Sequence, residues 1–117
     1  MLSDEELKRA AQEVKQQTEF YEQAKAAGYA PSVMGMSTYD SQDDFDNCRP
    51  NTKGTDFQKY NEYVVEVMKG LRANGIPAEP VVVHYSEFLK YLDGKPITPE
   101  ARSTFAAHLA TEEAKNK

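Results

Sequence analysis

The sequence has a single cysteine, Cys48, so no internal disulfide can form, and the paired spacing that would hold zinc is missing. It has no long apolar run. The longest purely aliphatic stretch is Val81 to Val83, far short of the roughly 18 residues that a membrane-spanning helix requires. It has no basic leader, because Met1 to Leu7 enclose an acidic Ser-Asp-Glu-Glu run, and it has no Asn-x-Ser/Thr sequon. A soluble, cytoplasmic protein without membrane contact is therefore expected. Positive charge is also short: 14 Lys and Arg face 19 Asp and Glu, a net charge of −5. The basic stripe that direct nucleic-acid binding needs is absent. Leu, Ile, Val and Phe are few, near the level at which chains fail to fold, but that failure also calls for a high net charge. The 7 Tyr and 4 Met add apolar area, so one core and a single domain over residues 1–117 are expected.

What is present is helix grammar. Ser3-Asp4-Glu5-Glu6 reads as a capping box, and Leu7, Ala11, Val14, Thr18 and Tyr21 follow on one face. Gly28 ends that helix, with Tyr29 placed to fold back as a Schellman motif requires. Asp56 caps the strongest amphipathic segment, carrying Phe57, Tyr60, Val64, Val67 or Met68, and Leu71, and Gly75-Ile76 closes it. Each helix is followed by a proline and a short β-favouring run, Ser32 to Tyr39 and Val81 to Tyr85. If these runs pair, the connection through a helix makes them parallel. Ser86 caps a third helix with Phe88, Leu89 and Leu92, stopped by Asp93-Gly94. Thr98-Pro99-Glu100 opens a fourth with Ala101, Phe105 and Leu109 inward. The expected class is α+β, mainly α: four helices with two short strands, in the order α-β-α-β-α-α. The alternative is an all-α four-helix bundle. Residues 112–117 are expected to fray.

Residues 39–55 break this pattern. They hold Asp40, Asp43, Asp44 and Asp46 with only Phe45 as an apolar anchor, and they read as a long acidic loop. The spacing does not suit a calcium loop: one begun at Asp40 would put Phe45 where glycine belongs and Asn51 where the bidentate Glu belongs, so no metal is assigned. Gly70 and Gly75 match the glycines of a phosphate loop, but Ile76-Pro77 replaces its Lys-Ser/Thr pair, and no cofactor is expected. Acidic neighbours keep the Cys48 thiol protonated, and a Cys48/His84 pair would need a tertiary contact. His84 and His108 have no companions at ligand spacing.

With no catalytic residue nominated, the reading that follows is a noncatalytic, small acidic protein-binding module, an inhibitor that covers a basic, nucleic-acid-handling protein. Asp40, Asp43, Asp44, Phe45 and Asp46 would supply recognition, with Tyr63 and Tyr91 as surface aromatics. Two alternatives stand beside it. One is a small enzyme or ligand binder with a pocket near His84, Tyr85 and Ser86, at the C-terminal end of the valine strand; the other is a homodimer formed through the first helix.

Overall fold

The computed structural model describes residues 2–115, which run α1 (Asp4–Ala26), β1 (Met34–Thr38), α2 (Gln42–Cys48), one 3-10 turn (Pro50–Thr52), α3 (Phe57–Ala73), β2 (Ala78–Val82), α4 (Tyr85–Leu92) and α5 (Pro99–Lys115). The fold is α+β and mainly helical, with five helices and two short parallel strands. It has one helix more than expected and is not an all-helical bundle. No described helix is long and apolar enough to cross a membrane.

Local signals fix several ends. Ser3 Oγ accepts the Glu6 N–H at 3.2 Å, and Glu6 Oε1 accepts the Ser3 N–H at 3.0 Å. Gly28 lies at φ +87° and the Tyr29 N–H donates to the Ala24 carbonyl at 3.0 Å, completing the hydrogen bonds of the Schellman motif. The Tyr29 ring does not fold back, however, and is 71% exposed. Gly75 and Ile76 close α3 in the same way, with the Ile76 side chain buried. Thr98 Oγ1 accepts the Ala101 N–H ahead of α5. That helix continues to Lys115, through part of the segment expected to fray, and residues 116 and 117 lie outside the described residues.

The acidic segment differs from its expectation. Ser41 accepts the Asp44 N–H and opens α2, while Phe45 and Cys48, one turn apart, plug the core. Asp46 accepts from the Gly54 N–H at 2.9 Å and from Gln42, tying the following turn back onto the helix. Two apolar residues in seven give no readable periodicity, so tertiary burial makes this helix. Strand β2 also begins earlier than Val81, because Ala78 to Pro80 pair with β1 and Tyr85 already starts α4. The cap of α4 is His84 rather than Ser86, and Asp44 accepts the Tyr85 N–H at 3.0 Å from 41 positions away.

The two strands align Met34 with Ala78 through Thr38 with Val82. Helices cover both faces. Met34, Met36 and Ala78 meet α1 and α3, while Val81, Val83 and Tyr39 meet α2, α4 and α5. Two close approaches set these layers: a Cβ on Gly35 would stand on the Ala106 carbonyl of α5, and one on Gly70 would lie 2.6 Å from Val14 of α1. Of the α1 stripe offered above for a homodimer, Val14 and Tyr21 pack on the α3 cluster, whereas Leu7 and Ala11 are exposed and Ala10 is buried beside them.

Candidate functional site

Two places gather chemistry. The first is the corner where both strands end. His84 Nδ1 lies 3.3 Å from Asp44 Oδ2 and 3.8 Å from Asp40 Oδ1, and one ligand atom from each of the three residues falls within 4.8 Å of the others. Two carboxylates and an imidazole form a set that suits a divalent ion. The structural duties of this set are already accounted for, since Asp44 Oδ1 caps α4 while Oδ2 faces the imidazole. Burial works against the Asp44 carboxylate, but the bonds from Tyr85, His84 and Ser41 outweigh it and hold the group below the usual carboxylate range. None of His84, Tyr85 and Ser86 lines the cavity at the outer edge of β1.

The second place is a cavity of about 780 Å³ along the outer edge of β1. Its floor is Val33 to Ser37. One wall is α1 and α3, with Glu13, Phe20, Tyr60 and Tyr63; the other is α5, with Arg102, Ser103 and Ala106; Arg49 closes one end. The edge itself is open. Met34 N–H donates to the Pro77 carbonyl at 2.7 Å and the Thr38 carbonyl accepts from Val83 N–H at 2.9 Å, so in a parallel ladder Met34, Met36 and Thr38 face β2. The N–H and C=O groups of Gly35 and Ser37 therefore point away from β2 and into the cavity.

Both arginines in the cavity are held in place. The Arg49 guanidinium lies 4.6 Å above the centre of the Tyr60 ring, and Arg102 Nη1 donates to the Cys48 carbonyl at 3.3 Å. No ion pair joins either one to a carboxylate among the described residues. Burial and then the like charge of Arg49 lower the pKa of Arg102. The Arg49 Nε and the Tyr39 hydroxyl are both buried without a well-formed hydrogen bond, and they interact with each other: Arg49 partly offsets the rise that burial imposes on the Tyr39 pKa. Burial pushes the neighbouring Cys48 thiol up to about 11, so it is protonated at neutral pH and gives the cavity no nucleophile.

Of the residues nominated from sequence, the cavity takes in one, Tyr63, and burial raises the pKa of its hydroxyl. Asp40 and Asp43 are exposed, Asp44 and Asp46 are engaged internally, and Phe45 is 0% exposed against Tyr39 and Tyr60. Phe45, expected on the partner surface with the aspartates around it, is the buried face of α2 and belongs to the core. Tyr91 stands apart from the cavity, its ring 4.9 Å from Phe105 and stacked on His108. Sequence reasoning missed Gly35, Ser37, Arg49 and Arg102. The strand that holds the first two was expected, but which of its edges stays open was not legible. Comparison with protein-family models, with curated proteins and with solved structures finds no match for this chain.

Proposed function

We propose that this chain is a noncatalytic protein-binding module that receives an extended segment of its partner as a third strand along the outer edge of β1. The observation that carries the reading is the pair of outward residues, Gly35 and Ser37, whose backbone donors and acceptors lie unpaired on the floor of a walled cavity. Such an edge is a template for strand addition, in which main-chain bonds give affinity and side pockets give selectivity. A cavity of about 780 Å³ is within the usual size of ligand sites. Tyr60 and Tyr63 offer rings on one wall, with little rotamer entropy to lose.

The test pans a random heptapeptide library against the full chain and against Ser37→Pro, which removes one outward N–H and leaves the ladder to β2 intact. Peptides selected on the wild type should lose binding to Ser37→Pro, and N-methylation of the peptides should weaken binding only at alternate residues. Recovery of no binders, or binders indifferent to both changes, overturns the reading.

A second reading keeps the acidic face, in which a basic partner lies on Asp40 and Asp43 as an inhibited nucleic-acid-handling protein would. It is favoured by the exposure of these two aspartates after Asp44 and Asp46 have been drawn into internal bonds. Capture of a basic protein that Asp40→Asn/Asp43→Asn abolishes would support it; capture unchanged by that variant removes it.

A further inference from the structure

We infer that the segment received along β1 is anionic, and that a carboxylate on it is read by Arg49 and Arg102. This rests on the strand-addition reading and adds the chemistry of the occupant. The two guanidinium groups come from distant parts of the chain, one just past α2 and one from the first turn of α5, and they line the same cavity. Acidic side chains outnumber basic ones 19 to 14, yet neither arginine has a carboxylate partner among the described residues. The acid on the cavity wall, Glu13, instead accepts from Gln17 at 3.1 Å. Two like charges in a partly dry recess repel each other, and an anion between them removes that repulsion.

The donors are also preorganised. Stacking over Tyr60 fixes the plane of Arg49, and the Cys48 carbonyl fixes Arg102. Carboxylate is the planar acceptor that matches a guanidinium fork. Position agrees as well. Ala106 of α5 sits over Gly35, and Arg102, one turn nearer the start of that helix, lies toward the C-terminal end of β1. A strand laid on the Gly35 and Ser37 groups would thus carry its acidic side chain at a fixed offset from the residues that pair with them.

The experiment uses the heptapeptides selected on the full chain, each made with Glu or Asp and with Gln or Asn at every acidic position. Selected peptides should share an acidic residue at one offset from the methylation-sensitive positions. Amidation there should weaken binding by roughly tenfold or more. In Arg102→Gln and in Arg49→Gln the acid and amide peptides should converge in affinity, and Arg102→Lys should restore part of the preference with less dependence on peptide geometry. Thermal unfolding of each variant, with binding of the amide peptide, reports whether the frame is intact. If peptides bind the edge but show no acidic preference, or if the preference survives in Arg49→Gln/Arg102→Gln, the carboxylate inference is wrong and strand addition stands. If inorganic phosphate at the peptide's own concentration displaces the peptide completely, the arginines form a free-anion site and the inference also fails. Absence of any bound peptide sinks the strand-addition reading itself.

Discussion

The outer edge of β2 carries Pro80 at its middle and faces solvent, whereas the outer edge of β1 carries Gly35 and Ser37 and runs between α1 and α5. In the shared ladder Pro80 is one of the outward residues of β2, so its missing N–H costs no bond inside the sheet and denies an incoming strand its central donor. The guard on β1 stands past its C-terminal end, where Asn61 of α3 donates to the Tyr39 carbonyl and accepts from its N–H, leaving the outward groups of Gly35 and Ser37 free. The donors and acceptors of these two residues are complete, and the walls beside them leave room instead of filling it. Two strands of equal length, paired to each other, thus present one blunted edge and one receptive edge.

The largest expected effect tests the frame that brings Arg49 to the receptive edge. Phe45→Ala should destabilise the chain by roughly 3–5 kcal/mol in urea unfolding, as for a fully buried aromatic. A loss under about 1 kcal/mol would mean that α2 hangs loose and that the contrast between the edges has no fixed geometry. Next comes a matched pair. Gly35→Ala forces a methyl onto the Ala106 carbonyl and should cost roughly 1–3 kcal/mol, pushing α5 away from β1. Pro80→Ala, on the exposed edge, should stay within about 0.5 kcal/mol. Equal costs at the two positions would erase the distinction.

The smallest effect concerns the corner where both strands end. The Asp44 carboxylate is held below its unfolded value, so its contribution is present above about pH 4 and is lost as pH falls through the folded value. Asp44→Asn should cost about 1 kcal/mol near neutrality and flatten the acid limb of the stability curve. An acid limb unchanged in that variant would assign the acid sensitivity to other carboxylates.

Much of the frame was legible because its signals are short-range. Ser3 with Glu6, Gly28, Gly75, Asp93-Gly94 and Thr98 each act within one helical turn, and they mark ends where the chain does end its helices. Parallel pairing followed from the helix between the strands. Helix α2 was not legible, because its single buried ring and thiol carry no period. The start of β2 was missed because proline ordinarily argues against a strand, and only the ladder shows that Pro80 faces outward. The candidate site was the least legible part: the acidic cluster drew attention, while Asp44 and Asp46 turned out to tie the fold together.

The sequence by itself determined where α1, α3 and α5 begin, where α1, α3 and α4 stop, the class of the fold and the negative balance of charge, since these depend on neighbours within a few residues or on composition alone. Tertiary structure decided which aspartates are internal and which edge of the sheet is open. It also decided that Arg49 and Arg102 share a cavity, because each of these depends on the meeting of groups whose separation along the chain carries no trace of their contact.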